Sequence, residues 1–522
     1  METANPKDLP AKKFNFSEWY RYVVFELNLL KYYDVSGCYV MMPTATKFWE
    51  IIQSHLDREF KKHDVENVYF PLLISEYNLS REESHIDGFK AEVAWVTHEK
   101  TEDELKLNNQ NNQNNQNNQN NQNNQNNQNN QNNQNNRLAI RPTSECAFYP
   151  TFQTIIKSHA DLPLKYNQWC NVVRWEFSTP TPFVRSREFL WNEGHCAFSS
   201  ENEAHNNAID MINVYKHFYQ KVLCVPVICG KKTTGEKFAG ANETFTIETF
   251  IPDAGKGIQC ATSHNLGQNF SKMFDIKFQQ NDQHGQNGGT EYVHQTSWGC
   301  TTRSIGTMIM THGDDKGLVL PSEMATYHVV IVPIYSKDTE IIINEYCQNI
   351  TNLLKSFGLR VQYDNTSRRP GWKYNYWEER GIPLRFEIGK KEAGELSIMI
   401  CRRDTKEKTK IPLNTINEIY MKNLLSDYDK KLYDKAIDLI KKSTIKINSI
   451  GDIDNNVDVT KLYYGNLCEN IECEKIIKQM KIKPQCRPDN ESTDLFGFVD
   501  TNKKCCVCQC DTDLICVISR GF

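Results

Sequence analysis

No run of about 18 apolar residues, the length a helix needs to cross a bilayer, occurs anywhere in the 522-residue sequence. The first residues, Met1 to Pro10, are polar and lack the basic-then-apolar order of a secretory leader. A membrane-spanning helix is therefore excluded, and a cytoplasmic protein without a membrane partner is expected. Excess charge is missing as well. Lys+Arg 61 against Asp+Glu 65 leaves −4, so the body is not polycationic, and any nucleic-acid contact must come from local basic surface. From Asn108 to Asn136 there is no apolar residue at all, just the repeated triplet Asn-Asn-Gln. Such a tract cannot bury surface to offset the entropy of ordering it, and a disordered insert over 108–136 is expected. It separates Val93-Ala94-Trp95-Val96-Thr97 from Leu138-Ala139-Ile140, two strand-like runs expected to pair as a hairpin.

The chain is long enough for two to four separate cores. Between Thr46 and His63 the apolar residues Phe48, Ile52, Leu56 and Phe60 recur every four positions, predicting an amphipathic helix that leads into Val68-Tyr69-Phe70-Pro71-Leu72. From His328 the pattern becomes strand (Val329 to Val332), helix (Ile341 to Phe357), then strands at Leu359 to Tyr363, Leu384 to Ile388 and Leu396 to Cys401, the signature of a small α/β unit with a mixed sheet. Leu425, Tyr428, Leu432, Ala436 and Leu439 predict a further amphipathic helix, which opens a lysine-rich third unit. The expected division is 1–325, 326–412 and 413–522. Eighteen cysteines in a long chain without a leader read as reduced thiols and metal ligands, and eight of them lie at or after Cys468.

Three stretches concentrate chemistry: Arg141-Pro142-Thr143-Ser144-Glu145, the run from Arg174-Trp175-Glu176 to Trp191-Asn192-Glu193-Gly194-His195, and Trp298-Gly299-Cys300-Thr301-Thr302-Arg303. They supply arginines, carboxylates and hydroxyls suited to a triphosphate and a small acid carrying an ammonium group. Arginine binds phosphate and carboxylate with two parallel N–H groups and keeps its charge. In order and spacing these stretches resemble motifs 2 and 3 of the class II aminoacyl-tRNA synthetases, with the Thr46–Leu72 segment in the place of motif 1. The Arg141–Glu145 loop and Thr262-Ser263-His264-Asn265-Leu266-Gly267-Gln268 resemble the prolyl-tRNA synthetases of eukaryotic and archaeal type.

The resemblance implies an α+β fold: a catalytic domain on an antiparallel sheet, an α/β anticodon-binding domain and a C-terminal zinc-binding α+β domain. It further implies a homodimer through motif 1, and substrates L-proline, ATP with Mg²⁺, and tRNA(Pro). Arg174 and Arg303 become the catalytic pair. Thr143, Glu145, Arg174, Trp191, Glu193, His195, Thr262 and His264 are implied for proline, and Arg174, Glu176, Arg185, Gln259, Thr262, Thr301 and Arg303 for ATP. Arg368, Lys373, Glu378 and Arg385 are the anticodon candidates. Cys468, Cys473, Cys506 and Cys508 can hold a structural Zn²⁺ as four thiolates, and Cys505 and Cys510 leave the register open by one or two residues.

Departures from the family pattern are Cys260-Ala261 where two glycines are usual, Lys390-Lys391 in place of Pro-Arg, and a terminal Gly521-Phe522 in place of tyrosine. Only a few tens of residues separate His195 from the strand-like Lys237-Phe238-Ala239-Gly240, too few for the editing domain that bacterial relatives insert there, so no editing in cis is expected. The alternative is a catalytically silent paralogue that binds tRNA or a regulatory partner, although such a copy would have no chemical use for the motif 2 and motif 3 arginines.

Overall fold

In the computed structural model, residues 9–85, 93–96, 137–175, 179–281, 287–336, 338–453, 458, 460–499 and 502–522 are described. Six strands form the centre: β1 (Leu164–Val173), β2 (Glu188–Phe198), β3 (Ile228–Lys231), β4 (Glu243–Ile251), β5 (Lys256–Gly267) and β6 (His294–Thr301). They pair antiparallel in the order β3-β4-β5-β6-β2-β1. Helices α1 (Pro43–Lys61), α2 (Glu145–Ile155), α3 (Glu201–Lys221) and α4 (Arg303–His312) belong to the same unit.

The predicted first helix is α1. Proline stands at its first turn, where the missing N–H costs no hydrogen bond. Phe48, Ile52, Leu56 and Phe60 are all fully buried, each contributing roughly 1.5–3 kcal/mol by leaving water. Helix α3 starts with a capping box between Ser200 and Glu203 and buries Ala204, Ala208, Met211, Tyr215 and Tyr219. Its contacts run across β4, β5 and β6, with α1 packed beside it. One sheet face is thus closed by helices. Alternation along the strands leaves Glu193, His195, Thr262 and His264 on the other face. The segment between β2 and β3 is this one helix and its connections.

The expected hairpin forms: Trp95 pairs with Ala139 and Val96 with Leu138. The Asn/Gln tract itself lies outside the described residues.

The second unit is a five-stranded mixed sheet of β7 (Val329–Ile334), β8 (Val361–Tyr363), β9 (Leu384–Gly389), β10 (Ser397–Arg402) and β11 (Lys408–Pro412), in the order β8-β7-β9-β10-β11. Strand β7 runs parallel to β8 and β9, and the last two strands are antiparallel. Helices α5 (Glu340–Ser356) and α6 (Pro370–Glu379) flank it. The long helix α7 (Glu418–Lys442) buries Leu425, Tyr428, Leu432 and Ala436 as its period predicts, whereas Leu439 is exposed and Ile437 and Ile440 point inward in its place.

The remaining strands, β12 (Thr444–Lys446), β13 (Leu462–Asn466), β14 (Lys483–Pro488) and β15 (Ile515–Ser519), lie side by side in the order β12-β13-β15-β14, and α8 (Ile471–Gln479) packs on β14. Strand β14 pairs with β3 through Arg487 opposite Lys231 and Pro488 opposite Gly230, so the C-terminal strands extend the central sheet. With the two-residue strand Glu66–Asn67 beside β1, the sheet reaches eleven strands among the described residues.

Candidate active site

The open sheet face carries ordered rows of side chains. His264 of β5, Ser297 of β6 and His195 of β2 stand opposite one another across the ladders, and the next row is Thr262, Gly299, Glu193 and then Gln168 of β1. A Cβ on Gly299 would lie 2.9 Å from the Asn192 carbonyl oxygen, so the floor of the site is bare backbone there. Every residue that the sequence assigns to proline or ATP, apart from Glu176, lines one cavity of about 300 Å³ over this face. Glu176 lies outside the described residues.

At one end of the cavity, Glu193 is 2% exposed. Its carboxylate accepts from the Ser144 hydroxyl, from Ser144 N at 3.1 Å and from Gln168 Nε2 at 3.1 Å, and lies 3.4 Å from His195 Nε2. Burial would raise this carboxyl, but the hydrogen bonds and charge of His195, together with Ser144 and Gln168, hold it below the usual range. Glu193 therefore acts chiefly on the loop 142–145, seating Ser144. That loop presents Thr143, whose hydroxyl donates to the Glu145 carboxylate at the start of α2. His195 Nδ1 is 3.1 Å from the Tyr149 hydroxyl.

His264 Nδ1 lies 3.0 Å from Thr244 Oγ1, and the Phe238 ring covers the imidazole at 4.6 Å between centroids. Desolvation in the cavity wall, followed by the nearby His195 and Lys232, lowers its pKa to about 3, so His264 is neutral under ordinary conditions. Phe238 was not singled out by sequence. It belongs to the loop after β3, where Lys237 to Gly240 form no strand.

Arginines line the same cavity. Arg174 donates from Nε to Pro142 O at 3.1 Å, and its guanidinium lies 5.3 Å from the Trp191 ring and 5.5 Å from the Phe189 ring. Arg303 opens α4 and donates to Val184 O at 3.1 Å and Gln259 O at 2.9 Å. Desolvation lowers its pKa, with Arg174 a smaller contributor of the same sign. Neither arginine has a carboxylate partner among the described residues. Two neighbouring cations held by carbonyls and aromatic rings, with no carboxylate beside them among the described residues, make a site for an anion, because guanidinium keeps its charge throughout the accessible pH range. Arg185 stands on the turn between β1 and β2, bonded through its backbone to Thr181.

Away from the cavity, two expectations are corrected. Lys373 is 2% exposed: it sits on the inward face of α6, donating to Asp364 O at 2.7 Å and pairing with the Asp364 carboxylate at 3.6 Å. It holds the fold and is closed to a nucleic acid. Arg368 stays exposed, stacked 4.9 Å over Trp372. Arg385 and Glu378 line a second cavity of about 190 Å³, with Arg385 bonded to Glu387 at 2.9 Å and lying 4.3 Å from the Tyr374 ring.

The cysteine register is the second correction. The thiols that converge within 4.8 Å belong to Cys468, Cys473, Cys505 and Cys508. Cys506 is as fully buried as Cys505, but its sulfur is not among the four that converge. Four sulfurs at this spacing, with no fifth position demanded, fit the tetrahedral thiolate set that structural zinc takes.

An antiparallel sheet with unpaired arginines over such a cavity, followed by this α/β unit, is the arrangement of class II aminoacyl-tRNA synthetases. Residues 126–312 match the class II tRNA synthetase core domain family (G, H, P, S and T), and residues 328–422 match the anticodon binding domain family. The chain is 41% identical to the cytoplasmic proline–tRNA ligase of Arabidopsis thaliana over 90% of this chain and 82% of that one. A crystal structure of prolyl-tRNA synthetase from Cryptosporidium parvum complexed with halofuginone and AMPPNP superposes with a TM-score of 0.85 at 38% identity, covering 99% of both chains. The same enzyme complexed with L-proline and AMP gives 0.84 at 37% identity, covering 98% of this chain and 96% of that one. Within the class, the chain belongs to the proline–tRNA ligase family.

Proposed function

We propose that this cavity activates L-proline with ATP and passes the prolyl group to the 3′ adenosine of tRNA(Pro). The observation that carries the reading is that Arg174 and Arg303, without carboxylate partners among the described residues, share one cavity with Thr143, Glu145 and the His195–His264 row. The proline carboxylate attacks the α-phosphorus of ATP, the bond to the bridging oxygen breaks, and pyrophosphate leaves. The ribose hydroxyl of the tRNA then attacks the carbonyl carbon of the adenylate and AMP departs. No enzyme nucleophile is needed, so the protein's contribution is positioning and charge stabilisation.

Arg174 takes the proline carboxylate and α-phosphate, Arg303 the γ-phosphate, and Arg185 a second contact to the triphosphate. Gln259, Thr262 and Thr301 hold the nucleotide end, and Glu176 receives the adenine amine by the family resemblance. Mg²⁺ would enter as part of the ATP substrate and would offset phosphate charge there. Glu145 and Thr143 take the secondary ammonium, and Trp191, His195, Thr262 and neutral His264 enclose the ring. A missing methylene is worth only about 1–3 kcal/mol in such a pocket. With a single helix between β2 and β3, misactivated alanine is not hydrolysed in cis.

Arg368, Glu378 and Arg385 contact the anticodon, and Cys468, Cys473, Cys505 and Cys508 hold a structural Zn²⁺. Tyr69, Leu73 and Tyr77, exposed in the stretch that follows α1, form part of a homodimer interface. No helix of the described residues is long and apolar enough to cross a membrane, in keeping with a cytoplasmic enzyme.

The test is amino-acid-dependent ATP–pyrophosphate exchange with proline, alanine, cysteine and threonine side by side. Strong exchange with proline, lost in Arg174→Ala, is the expected result. Absence of exchange with every amino acid in a folded, ATP-binding chain would overturn the reading in favour of a silent paralogue.

A further inference from the structure

The loop that follows β3 lines the cavity as a pair of turns, with Glu236 N and Lys237 N both donating to Thr233 O. Glu236 and Phe238 of this loop line the cavity. Phe238 covers His264, and its N–H donates to Thr244 Oγ1 at 3.0 Å, the same oxygen that meets the His264 ring. The loop is held from a distant part of the chain. Glu474 on α8, 1% exposed, accepts from Thr233 Oγ1 at 2.8 Å and from Gly235 N at 3.3 Å. Lys478, one turn further along α8, donates to Gly235 O at 3.3 Å and pairs with Glu236 at 2.6 Å, and Lys483 of β14 reaches the other Glu236 oxygen at 3.5 Å. A Cβ at Gly235 would stand 2.5 Å from Glu474 Oε2, so the loop can approach the carboxylate this closely only as glycine.

We propose that Glu474 and Lys478 are positioning residues for the amino-acid pocket: the C-terminal unit clamps loop 233–238 so that Phe238 stays against His264. The residue before Glu474 is Cys473, at the head of α8 and inside the four-thiol cluster. The cluster thus fixes the start of the helix that performs the clamping, which gives it a task in the catalytic cavity beyond holding its own unit together. The proposal rests on the assignment of the His195–His264 end of the cavity to proline.

The test compares Glu474→Ala, Lys478→Met, Lys478→Arg and, as a control on the solvent side of α8, Lys475→Ala in the full chain. Pyrophosphate exchange gives separate KM values for proline and ATP, and zinc content and Tm are measured on the same preparations. The proline KM is expected to rise on the order of tenfold in Glu474→Ala and Lys478→Met. The ATP KM, zinc content and Tm should stay near the unmodified values, with recovery in Lys478→Arg. A proline KM within about twofold of the unmodified chain in both variants overturns the proposal. So does a joint rise of both KM values with loss of zinc and a lower Tm, which would show a purely structural role. If Glu474→Ala does not fold, Lys478→Met decides alone, since that side chain is 41% exposed. If the unmodified chain shows no proline-dependent exchange, it is the substrate assignment that fails. The clamp is then read from hydrogen exchange over 233–238, where unchanged protection in both variants overturns it.

Discussion

Gln259 and Thr262 face the same cavity although they stand three positions apart along one strand, an odd spacing that in a regular strand sends side chains to opposite faces. The cause is Cys260. Ile247 pairs with Ala261 and Glu248 with Gln259, so Cys260 is an extra residue without a partner, a β-bulge that restores Gln259 to the site face. The departure from the usual pair of glycines thus falls on the bulge itself, with the Cys260 side chain turned into the main apolar core.

Cys260→Ala should leave the bulge intact and raise the ATP KM by less than about threefold, while lowering stability by about 1–2 kcal/mol through the small void it creates. Deleting Cys260 would turn Gln259 to the far face and raise the ATP KM on the order of a hundredfold. Denaturant titration and pyrophosphate exchange measure the two effects separately. Similar KM values in both variants would show that the bulge does not place Gln259.

Glu193 receives its hydrogen bonds from donors on three sides, so an isosteric amide fits the volume and not the chemistry. In Glu193→Gln the side-chain NH₂ must face Ser144 or Gln168, leaving buried donors opposed at a cost of about 1–3 kcal/mol. A lower Tm is expected, together with a 10- to 100-fold fall in kcat/KM for proline as Ser144 and its loop shift. An unchanged Tm and unchanged kinetics would remove Glu193 from this role.

His264 carries a pH signature. Its folded pKa, about 3, lies below the ordinary value near 6.5, so on acidification the unfolded chain takes up the proton first. The stability contributed by the neutral ring is complete above pH ~6.5 and is lost as pH falls from there toward 3, with a slope of up to about 1.4 kcal/mol per pH unit. His312 and His328, both lowered to about 4 mainly by desolvation, add to the same trend. His264→Gln should therefore flatten only part of it. Chemical denaturation between pH 4 and pH 8 measures the slope, and a slope identical in the variant would place the proton elsewhere.

The cysteine register can be read chemically. Cys505→Ser should lower zinc content markedly, because it removes one of four converging sulfurs. Cys506→Ser should keep the metal and instead cost about 1–3 kcal/mol by placing a hydroxyl in an apolar core. Atomic absorption on the two variants distinguishes them, and the reverse pattern would restore the ligand set written with Cys506.

The cavity was legible in the sequence because the stretches that line it resemble the class II motifs and the prolyl-type loops; the strand ladders then show why Glu193 and His195, or Thr262 and His264, spaced by two residues, share a face. What stayed hidden depends on phase or on distance. Lys373 looked like an RNA contact beside Arg368 and Trp372, but once a helix starts at Pro370 its turn carries Lys373 inward toward Asp364, a partner no local pattern announces. Cys505 and Cys506 are adjacent, and only the turn Cys505–Cys508 with the backbone bond from Cys506 N to Asn466 O decides which sulfur faces Cys468. Glu474 gave no signal, since Thr233 lies 241 residues away. The strand-like reading of Lys237–Gly240 failed because the segment forms turns, with Lys237 N bonded to Thr233 O, Phe238 N to Thr244 Oγ1 and Asn269 Nδ2 to Gly240 O.

The pairing of β14 with β3 has a consequence for how the chain is made. Lys232, just beyond β3, donates to Gln485 O of β14 across 253 residues of sequence. At ribosomal rates of about 5–20 residues per second, roughly 13–50 s pass between the synthesis of these two partners. Through that interval one edge of the catalytic sheet is an open strand with its N–H and C=O groups free to pair with other chains. The growing polypeptide therefore depends on a chaperone or on the C-terminal strands to cover that edge, and a transcript cut short before residue 483 yields a product prone to associate through it.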